Sequence, residues 1–567
     1  MDMRARKMAE ALCVICFVVM LPGPSLDLHA QPAAEPIFKA LNPAGYLPQV
    51  DLVPLAARLP GLEGKTIYMI TLASPKDPAI DSLASKVAEA LTRQNAKVVQ
   101  KKKETTYSSD DKPLWDEVQK NADGFIYFGT AQSSTTTFSA IWAAGLEKRG
   151  IPGVTVIFDF FHRSAQATCE RLGTMVRIAT VPLAFDTVTD RQMSEIIDTT
   201  LKALTMPLTE QEMKTGPHLP ARPPRIAMEG TEDQIQKYFY DSGWTDGLPI
   251  IIPTEEKVAQ MLKGTSHKPD EVVTKRMWPG PFEVTVEKVA ISGVMAGCKP
   301  EYLPVLLAAA EAFGSGDNAA TVVSTNSFSF MQVINGPIRN QIGMNAGIFA
   351  LGPGNHANAT IGRALRLFVH SLGGGRVGEN LMGTQGNVSA YTFCFPENEE
   401  KSPWEPLHVS QGYKREESII TIFNGGWSHV GNYIFEGMEG IEKLGQAIAQ
   451  FEWPSGAVIL MSPTKARLFS SKGLSKQDME ERIWSGATLT MKRFKDSTYY
   501  RSFIGPDLKG KLSYGWPKEY LDKPDDAIIQ AYPRKHIKII VVGGEVADMM
   551  QAWKVGSPST SSIDQWR

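Results

Sequence analysis

From residue 65 onward the chain alternates short apolar runs with stretches of helical spacing. Apolar runs at 66–72, 96–99, 125–128, 153–160 and 176–181 predict strands. Between and after them, 80–94, 114–121, 135–149, 165–172 and 192–203 predict helices; in the first of these Leu83, Val87 and Leu91 recur at every fourth position. Apolar strands separated by amphipathic helices imply a parallel sheet covered on both faces. The expected fold class is therefore α/β: an N-terminal doubly wound parallel sheet, flavodoxin-like, over 63–206, followed by a larger mixed α/β domain.

The pattern changes after 206. Residues 207–228 carry Pro207, Pro217, Pro220, Pro223 and Pro224 and read as a linker. A capping-box sequence, Thr231-Glu-Asp-Gln234, then opens a helix and the larger domain, 229–567. The centre of that domain is 284–313, VTVEKVAISGVMAGCKPEYLPVLLAAAEAF. Its β-branched start, 284–291, predicts a strand, and Gly293 to Gly297 predicts a turn. Cys298 follows, and Pro300 suits the first turn of a helix because its missing N–H would be unpaired there anyway. The Ala/Leu-rich stretch 303–313 reads as a buried helix. Near the end, 537–542 predicts another apolar strand, closed by Gly543-Gly544.

Composition narrows this reading in two ways. A chain of 567 residues is too long for a single ordinary core. Its net charge of −2 favours neither nucleic acid nor an acidic surface as partner, and the long loops described below lead instead to the expectation of a small-molecule ligand. At the N-terminus Arg4, Arg6 and Lys7 precede an apolar run, 12–21, and then Pro22, Gly23 and Pro24. That order predicts a secretory signal peptide over 1–30, a lead-in over 31–62, no membrane span after cleavage, and a periplasmic or secreted protein. A retained short anchor is the competing reading. Cleavage would leave Cys169, Cys298 and Cys394, too few for a disulfide framework. A homo-oligomer is compatible with the sequence.

Several positions could carry chemistry. A thiol at a helix N-terminus has its pKa lowered, which makes Cys298 a candidate nucleophile with His356, His408 or His429 as partner; a buried packing role is the alternative. In a doubly wound sheet ligands lie beyond the carboxyl ends of the strands, so the Gly129 to Thr137 loop, with Gln132, Ser133, Ser134 and Thr135, is a candidate anion cradle or else a helix cap. Asn355 and Asn358 either orient a ligand or satisfy turn geometry, and Arg363 could pair with an anion. Trp244 and Asp246 could wall and orient a substrate, or Trp244 could pack a helix end. Asn335, Cys394 and Glu397, with Glu399 and Glu400, complete the set as an acid/base group or a solvated loop. No zinc signature, phosphate-binding loop, dinucleotide fingerprint or nucleophile elbow occurs, and no motif names a cofactor.

Residues 128–152, FGTAQSSTTTFSAIWAAGLEKRGIP, resemble the family named for its U-G-S-C motif, in which U is selenocysteine or cysteine. GWTDGLP (243–249), MAGCKPEYLP (295–304), LGPGNHANATIGRA (351–364) and YTFCFPENEE with SPWEPLHV (391–409) are similar to regions fused to or encoded with that module. The resemblance implies thiol or selenol redox chemistry, but the motif positions here fall on Gln132, Ser133, Ser134 and Thr135. Glutamine is neither a nucleophile nor an electron carrier of that type, so the implied chemistry does not carry over. Two functions are expected on these grounds. The first is an exported enzyme acting on a small organic substrate in an interdomain cleft through Cys298, His356 or His408. The second is a periplasmic binding protein for a small carboxylate or related anion, and a docking module for a separate catalytic chain is a third reading.

Overall fold

A computed structural model describes residues 35–567, apart from 74, 76, 219–221, 317, 432–436, 452–455, 498–499, 501–519, 521 and 533–535. The signal-peptide expectation, with Cys13 and Cys16, falls on residues outside the described ones.

The first sheet has five parallel strands in the order Lys97–Lys103, Thr66–Leu72, Gly124–Phe128, Gly153–Phe158 and Arg177–Val181. In chain order this is 2-1-3-4-5, the flavodoxin-like arrangement. The three inner strands are apolar on both faces because helices cover both. Ile67, Met69, Ile126 and Phe128 face a core with the Pro78–Arg93 and Asp190–Thr205 helices. Tyr68, Ile70, Phe125 and Tyr127 face a second core with Lys112–Asn121 and Ser133–Lys148. Here the periodicity predicted the elements well.

The lead-in and the linker are more ordered than their composition implies. Phe38–Leu41 pairs antiparallel with Ile226–Gly230, and Val50–Leu52 pairs with Gly216–His218. Leu55, Leu59 and Leu62 are buried. Arg58 reaches a nearly inaccessible Glu147 at 2.8 Å, and that carboxylate also accepts from the backbone N–H of Ala56 and Gly153.

The larger domain is built on a six-stranded mixed sheet. Its order is Cys394–Pro396, Ser329–Asn335, Ile419–Gly431, Met550–Ser562, Ala457–Met461 and Ile537–Val541. Alternate residues of Ala457–Met461 enter different cores, Ile459 and Met461 on one face and Val458 and Leu460 on the other, as the pleat requires.

The predicted strand at 284–291 is instead mostly helix, Val286–Ala296, entered from a short strand, Phe282–Thr285. The β-branched residues did not decide the outcome because the helix is buried on every side, so packing overrides propensity. Gly293 lies inside this helix, and a Cβ there would come within 2.6 Å of Leu306. The turn is at Gly297, in the left-handed conformation at φ 87°, where the Cys298 N–H donates to the Gly293 carbonyl at 2.9 Å. The predicted strand–turn–Cys–helix is thus helix–Gly–Cys–helix, with the second helix at Leu303–Ser315.

The two parts touch at specific points. The Ser133 hydroxyl donates to the Val323 carbonyl, and Met382 of the larger domain is buried in the first domain's core, in the hydrophobic cluster that includes Phe128, Phe158 and Val181. Among the described residues no helix is long and apolar enough to cross a membrane.

Candidate functional site

The helix His356–Leu367 opens on Asn355, whose side chain accepts from the Asn358 N–H at 3.0 Å, and it runs on into a wider π turn, Phe368–Leu372. Arg363, Arg366 and His370 therefore follow one another at spacings of three and four, which places them on one stripe. π turns within helices are frequent at functional sites. That stripe borders a cleft of about 700 Å³ whose other walls come from the Tyr240 to Gly247 loop and the Gly375 to Tyr391 loop.

The charges in the cleft divide into paired and unpaired sets. Arg363 forks onto Asp246, Nε to Oδ2 at 2.8 Å and Nη2 to Oδ1 at 2.9 Å, and it also donates to the Pro249 carbonyl at 2.8 Å. Asp246 and Arg363 thereby satisfy each other. Arg376 is fixed by carbonyls only, its Nη1 donating to Gly243 at 3.0 Å, His370 at 3.3 Å and Gly375 at 3.2 Å. Its stem lies against Gly243, at φ 64°, where a Cβ would come within 2.8 Å of Arg376 Cδ. Arg366 has no hydrogen bond or ion pair among the described residues. Burial holds both guanidinium pKa values below the ordinary arginine value.

His370 is buried between these cations. Its Nδ1 lies 3.3 Å from the Gly375 carbonyl. A carbonyl can only accept, so Nδ1 carries the proton and Nε2 of the neutral ring keeps its lone pair. Burial first, then the positive charge of Arg366, pushes the ring's pKa down to about 3. At neutral pH the cleft holds Arg366 and Arg376, which make no ion pair among the described residues, the carboxylates Asp241 and Asp246, which pair with Lys237 and Arg363, and one neutral hydrogen-bond acceptor.

The residues singled out from the sequence do not converge on one cleft. Asp246 lines the cleft, and Arg363 borders it. Trp244 packs edge-on against Phe239 and Tyr238 at the end of its own helix. Cys298 is buried, and burial pushes its thiol pKa up to about 12 despite the Thr360 hydroxyl and Arg363. This is the reverse of the lowered pKa expected from a helix N-terminus, since desolvation outweighs the helix field. Cys394, beside it in the same core, is also pushed up by burial. His356 is exposed, with Nδ1 3.4 Å from the Tyr302 hydroxyl. His408 is fully buried, and neither ring nitrogen has a partner among the described residues.

Of the acidic group, Glu397 is interior, Glu399 is half-buried and Glu400 is exposed. Glu397 is fully buried; its Oε2 accepts from Asn335 Nδ2 and from the Leu407 N–H, each at 2.7 Å. Arg339 pairs with Glu399 at 3.1 Å and Glu400 at 3.0 Å, so these carboxylates brace the end of the Ser329–Asn335 strand. Among the described residues no group of three or more His, Cys, Asp or Glu could hold a metal ion. Asn358 also braces structure, donating to the Asn345 and Ala350 carbonyls.

The Gly129 to Thr137 loop lies at the carboxyl end of its strand, as expected, but its hydroxyls face inward. Ser133, Ser134 and Thr135 are buried; Ser133 bonds across to Val323, and Thr135 donates to the Gln132 carbonyl at 2.8 Å. Gln132 is the capping residue of the Ser133–Lys148 helix and makes no side-chain cap bond. The nearby Ala131 N–H is taken by Asp77 at 2.9 Å.

Sequence reasoning missed Arg366, His370, Arg376 and Tyr391. The signal for the first two was present in the spacing R-x-x-R-x-x-x-H, 363–370.

Fold and site together define a two-part α/β protein, a flavodoxin-like domain docked on a mixed-sheet domain that carries a cationic cleft. Residues 39–210, which span the first domain, match the model of the UGSC family. No curated protein and no solved structure matches the chain.

Proposed function

We propose that the protein binds a small organic anion, a carboxylate, in the cleft of the larger domain. The observation that carries this is the pair of guanidinium groups, Arg366 and Arg376, which line one concavity without a carboxylate ion partner among the described residues. Buried cations are ordinarily paired, and a guanidinium fork matches a carboxylate. The volume suits a small organic molecule. The reading favours ligand binding over thiol catalysis, because Cys298 and Cys394 are desolvated thiols away from the cleft lining.

The test is thermal stabilisation of the whole chain by acetate, propionate, benzoate and phosphate, repeated on Arg366→Ala. A ligand at a hundred times its Kd stabilises by about 2.7 kcal/mol, a rise of several degrees for a domain of this size. Carboxylates should raise the Tm of the parent protein and leave Arg366→Ala unmoved. Equal shifts in both proteins, or none with any anion, would overturn the proposal.

A further inference from the structure

We infer that the cleft selects carboxylates bearing a hydroxyl on the carbon next to the carboxylate, with His370 Nε2 accepting the hydroxyl proton. This rests on the carboxylate reading above and adds the ligand class to it. The Gly375 carbonyl fixes the protonated nitrogen of His370, so the free lone pair is at Nε2. Arg366 stands four residues earlier on the same stripe, and its charge acts directly on the ring. A carboxylate on Arg366 therefore has a neutral acceptor beside it, where a 2-hydroxy group would donate.

Two alternatives fit less well. A 2-amino acid would bring an ammonium against Arg366 and Arg376, a like-charge contact in a cleft whose carboxylates, Asp241 and Asp246, are already taken by Lys237 and Arg363. A plain carboxylate would leave Nε2 desolvated without a donor, which costs affinity. The ring stays neutral at physiological pH because burial and Arg366 hold its pKa near 3. At the rim, Val377 and Val388 are 80% and 87% exposed and Tyr391 is 54% exposed, so an apolar substituent on the ligand has a surface to cover.

The experiment is titration calorimetry on the whole chain with mandelate, phenylacetate and phenylglycine, and with lactate, propionate and alanine. Each hydroxy acid should bind at least about tenfold more tightly than its deoxy partner, the discrimination expected when a buried acceptor is left unpaired, and the amino acids should bind weakest. His370→Leu should abolish the preference, bringing the hydroxy-to-deoxy affinity ratio to about one, and His370→Gln, which keeps an acceptor, should restore part of it. Equal binding of mandelate and phenylacetate, lost in Arg366→Ala, would overturn this inference and leave the carboxylate reading intact. No binding by any carboxylate would overturn both. If His370→Leu does not fold, the hydroxy-to-deoxy ratio of the parent protein decides.

Discussion

At the residue scale, Cys298 and His370 show how burial sets chemistry. Both sit beside arginines, yet the thiol is pushed up and the imidazole down, because desolvation penalises whichever form is charged. His370 has a measurable consequence. Its folded pKa lies below the unfolded value near 6.5, so only the unfolded chain takes up a proton as pH falls from about 6.5 toward 3. Its contribution to stability is complete above 6.5 and is lost below it, at up to about 1.4 kcal/mol per pH unit. Glu212 and Glu400, held near 2 by arginine partners, lose their contributions only below about 4.5. Urea unfolding between pH 4.5 and 6.5 should therefore show a steeper fall for the parent protein than for His370→Gln. Residue types and spacings were legible in the sequence, but which arginine is paired was not. Arg363 was the candidate anion binder, yet Asp246, more than a hundred residues away, neutralises it and leaves Arg366.

Elements behaved according to how many faces they bury. The parallel strands of the first domain were readable from apolar runs because their helices are amphipathic and supply contrast; the Pro78–Arg93 helix buries Leu83, Val87 and Leu91. The Val286–Ala296 helix has no polar face to reveal its period, so its β-branched residues read as a strand. The helix that carries Arg366 depends on close approach. A Cβ on Gly362 would lie 2.2 Å from Thr392 Oγ1, 3.0 Å from Cys394 Cβ and 3.1 Å from the Phe393 backbone N. Gly362→Ala gains about 1 kcal/mol of helix propensity but overpacks the strand, at a cost of about 1–3 kcal/mol. Net destabilisation in chemical denaturation is expected, together with weaker carboxylate binding as the helix shifts.

On the scale of the whole molecule, the loop from Gly375 to Tyr391 belongs to two places at once. It lines the cleft through Arg376, Val388 and Tyr391, and it buries Met382 in the first domain's core. Met382→Ala removes most of that side chain, a change that costs about 2–5 kcal/mol in a well-packed core. Hydrogen exchange should then show faster opening of Gly153–Phe158 and Arg177–Val181, strands whose residues share its core. Unchanged protection there would show that the loop does not hold the domains together. Nothing in the sequence marks Met382, since a lone methionine in a glycine-rich loop has no periodicity to betray its burial.

The pairing of Phe38–Leu41 with Ile226–Gly230 bears on the order in which the molecule is made. Residues 38–46 leave the ribosome early, yet their partners follow much later: the Ile226–Gly230 strand, the Pro253 carbonyl bonded to Leu41, the Glu283 backbone paired with Tyr46, and Lys288, which donates to the Asn42 carbonyl at 2.6 Å. The flavodoxin-like unit lies wholly between these partners and has everything its sheet needs by residue 205. It has what it needs to close while the nascent chain still holds its first strand in reserve, and the two-stranded pairing of Phe38–Leu41 with Ile226–Gly230 forms only when the chain reaches back past that unit.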